Sequence, residues 1–226
     1  MKNRVFKIIT SVLIFLIYYF STDIINYLLD IFRVDFDLLN RPILIFILFM
    51  YELIPLLVLI IIYKDDLKNK FKSFKDNFVD NMDKYIRLWL LAIVLMSICD
   101  ILIGLFTGSE ISNNEQAIRN IANVLPIYMI FSSAICAPIV EEIAYRKIIR
   151  DIFSNKYLSI IMSGLLFGLA HVLGTYTELK DLLYIFSYGV FGAIFMYIYI
   201  DSDNIWNTIF LHFLHNTILL TIYFIR

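Results

Sequence analysis

Glu141 and Glu142 stand side by side at the end of an apolar run, and Arg146 follows four residues after the second of them. A charged side chain placed inside a bilayer costs about 2.5 to 3.5 kcal/mol on insertion scales, so a pair of carboxylates there must be kept by use or by partners. Each residue of an α-helix advances about 100°, which puts Glu142 and Arg146 on one face as a possible ion pair and turns Glu141 about 100° away. That division leaves Glu141 as the unpaired carboxylate, the one free for general-base work on water.

The chain has three histidines, His171, His212 and His215, all inside apolar runs of its C-terminal half. A lone buried histidine is usually a hydrogen-bonded core residue; three concentrated in this way point to a site. Phe167 precedes His171 by four residues and Asn216 follows His212 by four, so each pair shares a helical face. His215, three residues after His212, projects about 60° to the other side and competes with it for a place in the site. Glu141 lies about 14 residues before Asn155 and His171 lies 16 after it, so both stand roughly 20 to 25 Å from that turn and are level across a helical hairpin. His212 is only eight residues past Asn204, roughly 12 Å, so meeting Glu141 requires the Arg146 to Lys156 hairpin to project about 10 Å further. Pro138 cannot donate to the carbonyl of Ala134, and the helix is expected to bend there and admit water.

The elements that must carry these residues are membrane helices. The chain is 61% hydrophobic and 17% charged, with mean hydropathy +0.79, against about 45 to 50% and 25% in ordinary soluble domains. It reads as one all-α polytopic membrane domain, 1–226, of about seven transmembrane helices and one interfacial helix. The spans run Ile8 to Phe20 with an amphipathic continuation Ile24 to Phe32, then Pro42 to Tyr63, Tyr85 to Phe106, a long pattern from Ala117 past Pro126 and Pro138 to about Phe153, then Tyr157 to Leu173, Leu182 to Ile200 and Ile205 to Ile225. Between the second and third, Lys64 to Lys84 carries the stripe Leu67, Phe71, Phe74, Phe78, Met82 opposite a charged face, the pattern of a helix lying on the membrane surface. Thr107 to Asn120 reads as an exposed connection or helix cap. Glu52 and Asp100 read as acids satisfied by neighbouring helices, and Cys99 and Cys136 as small packing residues.

Nineteen basic against twenty acidic residues argue against a nucleic-acid partner. With the N-terminus inside, Lys2, Arg4, Lys7, the basic residues of 64–87 and those of 146–156 fall on the inner side, 14 of 19 in all, which predicts N-in, C-out and a site opening to the cytoplasm. An Ile-, Asn-, Lys-, Phe- and Tyr-rich usage suggests an AT-rich bacterial genome and hence a bacterial cytoplasmic membrane.

Taken in order, E-E-x-x-x-R at Glu141 to Arg146, F-x-x-x-H at Phe167 to His171 and H-x-x-x-N at His212 to Asn216 resemble the CAAX-protease and bacteriocin-processing family of intramembrane proteases, with the type II CAAX prenyl endopeptidase fold. The resemblance covers residues 117–220 and leaves the first three spans without a matching motif; Lys147 stands where many bacterial members have Gly. It implies that Glu141 activates the attacking water and that His171, His212 and Asn216 hold water and substrate carbonyl; helical spacing adds Glu142, Arg146, Phe167 and His215 as supporting residues. The implied substrate is a membrane-delivered peptide or protein, such as a leader, a bacteriocin or a signalling-peptide precursor. The family has been described both with and without a metal. His171, His212 and Glu141 would satisfy a catalytic zinc with an open position, but no H-E-x-x-H helix brings them together, so a metal-free, glutamate-dependent site is expected. A catalytically silent scaffold of the same family and a transporter or proton relay are the alternatives, the last because intramembrane acids and histidines serve proton pathways equally well.

Overall fold

The computed structural model describes residues 2–226, apart from the side chains of residues 2, 3 and 37; the expectation that Lys2 adds to the inner charge falls outside the described side chains. Every regular element among the described residues is helical. Helix α1 (Lys2–Tyr19) and helix α2 (Ser21–Ile31) meet at 60°. Helix α3 (Arg41–Asp76) opens on Asn40, whose side chain accepts from the Ile43 N–H at 3.2 Å, with Pro42 in the first turn. Helix α4 (Phe78–Thr107) begins one residue after α3 ends and stops at Gly108, which takes the left-handed conformation at φ 75° that glycine adopts without strain.

The 36 residues of α3 are about 54 Å long, well beyond a hydrocarbon core of about 30 Å. This corrects the expected surface helix over Lys64 to Lys84. Its first part is the extension of α3 and its last part the start of α4. The apolar stripe faces protein: Leu67, Phe74 and Met82 are buried, the ring of Phe71 stands edge-on to Trp206 at 4.9 Å, and the Trp206 indole donates to the Leu67 carbonyl at 2.8 Å.

Helix α5 (Asn113–Val124) is capped by Ser112, which accepts from the Glu115 N–H at 3.1 Å. It ends at Leu125, and helix α6 (Pro126–Ile152) starts on the proline, so the expected unbroken run from Ala117 is two helices. Proline pushes the residue before it out of the helical region, and Leu125 has φ −135°, ψ 64°. Helices α7 (Lys156–Leu173), α8 (Leu179–Ser202, opening with a 3₁₀ turn) and α9 (Ile205–Ile225) follow through short turns. Six helices, α3, α4, α6, α7, α8 and α9, are long and apolar enough to cross a membrane, and the bent pair α1–α2 makes a seventh if counted as one span.

Helices α7 and α8 pack by backbone approach rather than by large side chains. A Cβ on Gly168 would stand 2.4 Å from the Ile185 carbonyl oxygen, and one on Gly164 would stand 2.6 Å from that of Gly189. In lipid, where apolar side chains gain nothing by leaving hydrocarbon, such close packing is a principal source of helix association. It sets Phe167 and His171 of α7 against α8 and toward α6.

Candidate active site

Helix α6 is not uniformly α-helical. It widens into π turns over Ile130–Cys136 and again over Ile143–Ile148, leaving Ala137–Glu142 as a short α segment between them. Pro138 has no N–H to complete an i to i+4 ladder, so the turn before it loosens, in keeping with the expected local distortion. Glu141 and Glu142 sit at the end of that segment, aimed in different directions.

Glu142 and Arg146 are both fully buried and pair through two contacts, Nε to Oε2 at 3.0 Å and Nη2 to Oε1 at 3.1 Å. Arg146 also donates from Nη1 to Ser163 Oγ at 2.9 Å, and its guanidinium lies 4.7 Å from the Phe167 ring centre and 5.8 Å from that of Phe195. Glu142 Oε1 is bonded in addition to His212 Nδ1 at 2.9 Å. A carboxylate engaged with arginine can only accept, so His212 donates from Nδ1 and keeps a lone pair on Nε2. His171 follows the same logic, since its Nδ1 lies 2.9 Å from the Phe167 carbonyl, another pure acceptor.

Both free Nε2 atoms face one oxygen. Glu141 Oε2 lies 3.9 Å from His171 Nε2 and 3.9 Å from His212 Nε2, and it is a buried oxygen with no hydrogen-bond partner. An orphaned carboxylate oxygen is costly, and a water donating to it is the usual remedy. Asn216, one turn beyond His212, donates to the Ser133 carbonyl at 2.7 Å in the first π stretch, which leaves its second N–H uncommitted. His215 reaches the same cavity, but its ring packs against Phe191 at 4.8 Å and edge-on to Trp89 at 6.4 Å, with no contact to Glu141.

Glu141, Phe167, His171, His212, His215 and Asn216 line a single cavity of about 160 Å³; Glu142 and Arg146 lie beneath it. The structure therefore brings together all the residues expected from sequence, in two layers. It adds residues that the motifs do not announce. Ser163 lies four residues before Phe167 on the face leading to His171, a spacing that was there to be read. Tyr188 and Ser133 carried no such signal, because they reach the cavity only through helix packing.

The expectation of a cavity opening on the basic side is corrected. Salt bridges from Lys7 to Asp151, Lys70 to Asp203 and Lys84 to Asp201 gather the basic segments at the end of the bundle holding the α6–α7 and α8–α9 turns. The cavity is lined from the opposite end, by Asn114, Glu115 and Arg119 of α5 and by Leu219 and Tyr223 near the close of α9. The buried Arg146, its two aromatic rings and Glu142 fill the space on the basic side.

Glu141, His171 and His212 are also the residues that would hold a zinc ion if one were bound. Ligands on a tetrahedral zinc with bonds of about 2.0 to 2.1 Å stand roughly 3.3 Å apart, whereas the oxygen and each nitrogen are 3.9 Å apart here. No group of three or more His, Cys, Asp and Glu side chains among the described residues is set to hold a metal ion. As placed, these residues do not fit a resident metal.

The acids outside the cavity are satisfied by neighbours. Glu52 accepts from Tyr128 at 2.9 Å and Ser132 at 2.7 Å, and Asp100 accepts from Ser187 at 2.6 Å. Cys136 is buried and free, and Cys99 is half-buried and free.

Residues 123–218 match the family described as type II CAAX prenyl endopeptidase Rce1-like. Among curated proteins, the chain is 34% identical over 109 residues to "Putative membrane peptidase YdiL" of Bacillus subtilis, a match covering 47% of this chain and 41% of that protein. It is 30% identical over 148 residues to "Membrane-embedded CAAX protease MroQ" of Staphylococcus aureus, covering 59% of this chain and 56% of that one. The chain thus matches about half the length of these relatives. No solved structure matches it. Every residue of the two-layered site falls within residues 123–218, the segment that resembles the Rce1-like type II CAAX prenyl endopeptidases.

Proposed function

We propose that this chain is an intramembrane endopeptidase that hydrolyses a peptide bond of a membrane-delivered peptide or protein with water activated by Glu141. The observation that carries the reading is the convergence of the unpartnered Glu141 oxygen with two imidazole Nε2 atoms at 3.9 Å, in a cavity inside the bundle. A water lodged among them donates one proton to Glu141 and the other to an imidazole lone pair. Glu141 takes its proton as the water oxygen bonds to the substrate carbonyl carbon. The carbonyl oxygen becomes an oxyanion within reach of the uncommitted N–H of Asn216, a donor of a kind worth about 10² to 10³ in rate, while the Nε2 lone pairs of His171 and His212 hold the attacking water. Collapse breaks the C–N bond, and Glu141 returns the proton to the departing amine. One water is consumed, and a carboxylate and an amine leave.

Both named relatives are bacterial and one is called a CAAX protease. Read with the composition, this favours a leader, bacteriocin or signalling-peptide precursor in a bacterial cytoplasmic membrane as the substrate. With the basic end inside, the N-terminus is cytoplasmic, the C-terminus is outside and the cavity faces the outer half of the membrane. Proteomic comparison of cells carrying the wild-type chain and the Glu141→Ala variant tests the reading: peptides processed only in the wild type support it, and identical processing in both overturns it.

A further inference from the structure

Helix α5 lies across the cavity with Asn114, Glu115, Ile118, Arg119 and Ala122 turned toward it, and a tyrosine hydroxyl holds it at each end. At its C-terminal end Tyr223 of α9 donates to Asn123 Oδ1 at 2.8 Å. At its N-terminal end the hydroxyl of Tyr188 shares a hydrogen bond with Ser112 Oγ at 2.7 Å and receives one from Asn114 Nδ2 at 3.3 Å. Tyr188 does something more. Its ring stacks on the imidazole of His171 at 4.7 Å with 25° between the planes, while Phe167 covers the imidazole at 4.2 Å and 36°. His171 is therefore held by two rings and by one hydrogen bond, from Nδ1 to the Phe167 carbonyl. A terminal ring torsion such as that of histidine has a broad minimum, so a single hydrogen bond leaves the orientation of Nε2 loosely determined and flat contacts restrict it.

We infer that Tyr188 is a positioning residue for His171: its ring fixes the imidazole so that Nε2 faces Glu141, and its hydroxyl ties that arrangement to the seating of α5. The inference rests on reading His171 as part of a hydrolytic site. The ring and the hydroxyl are separable by substitution. Tyr188→Phe keeps the stack and loses the bonds to Ser112 and Asn114, and Tyr188→Leu loses both. Tyr223→Phe loosens the other end of α5 without touching His171.

The first readout is kinetic, on a peptide found to be processed by the wild type. Tyr188→Phe and Tyr223→Phe are expected to alter KM with kcat within about twofold of wild type, whereas Tyr188→Leu lowers kcat by about tenfold or more, at least about 1.4 kcal/mol in barrier relative to wild type. A Leu variant with the kcat of the Phe variant overturns the inference. The second readout needs no activity. With only three histidines in the chain, ¹⁵N-histidine spectra in detergent can be assigned by single substitution. His171 is expected as one Nδ1–H tautomer in wild type and Tyr188→Phe, and as a mixture in Tyr188→Leu; unchanged spectra overturn the inference. Tyr188→Met, which keeps bulk without a flat face, stands in should the Leu variant fail to fold. Processing that survives Glu141→Gln would sink the hydrolytic reading and leave the spectral test of Tyr188 standing, so the two failures are distinguishable.

Discussion

His212 donates from Nδ1 to Glu142 Oε1 at 2.9 Å, an oxygen that also receives Nη2 of Arg146 at 3.1 Å. The second glutamate of the pair is thus the hub beneath the cavity: it neutralises the arginine, selects the tautomer of His212 and turns Nε2 of that ring toward Glu141. The two adjacent carboxylates differ in surroundings: Glu142 has three N–H donors around it, and Glu141 has an oxygen with none.

The first prediction concerns that oxygen. Glu141→Gln preserves shape and removes the base. Processing should fall by about 10² to 10⁴, the range for loss of a general base, with the thermal midpoint in detergent unchanged. A residual rate within tenfold of wild type would exclude Glu141 as the base.

The buried ion pair should behave differently. Arg146→Ala strands Glu142 in a fully buried position, and removing one member of such a pair costs about 3 to 5 kcal/mol. We expect loss of folded protein in the membrane, partly restored in the double variant Glu142→Leu, Arg146→Met, which remains inactive because His212 has lost its acceptor. Thermal unfolding in detergent measures both effects.

The two C-terminal histidines can be told apart in the same assay. His212→Ala should abolish processing. His215→Phe, replacing a ring packed between Phe191 and Trp89, should retain at least about one tenth of wild-type kcat, a loss below the two to three orders, about 10² to 10³, at stake for a direct donor. Equal losses would place His215 in the chemistry as well.

Backbone contact between α7 and α8 makes a steric prediction. Gly168→Ala puts a methyl group 2.4 Å from a carbonyl oxygen and should cost about 1 to 3 kcal/mol, typical of overpacking, while moving His171. Gly174→Ala, with nothing within 4 Å of the new Cβ, is the control. The difference in thermal midpoint between the two variants is the measurement.

Orientation is open to chemical labelling. Asn123 on α5 and Lys68 on the extension of α3 are both exposed. In intact cells an impermeant maleimide should label Asn123→Cys and reach Lys68→Cys only after permeabilisation, with Cys99 and Cys136 removed. The reverse pattern would turn the cavity toward the cytoplasm.

Hydropathy and composition alone determined that the chain is an all-helical membrane protein of about seven spans, because a bilayer imposes helix lengths directly on sequence. Spacing alone paired Glu142 with Arg146, and set Phe167 above His171 and His212 beside Asn216, because those are contacts within one helix, where distance along the chain is distance in space. What lies between helices was not legible. The sharing of Glu142 by Arg146 and His212, the stacking of Tyr188 on His171 and the grip of Ser133 on Asn216 depend on how far apart helix axes lie and how they are rotated. Glycines against carbonyl oxygens and π turns beside Pro138 settle those quantities only in the assembled bundle. The same reason explains the stripe of Leu67, Phe71 and Phe74. An amphipathic pattern says that one face is covered, and only the tertiary structure decided that α9 and its neighbours, rather than a lipid surface, cover it.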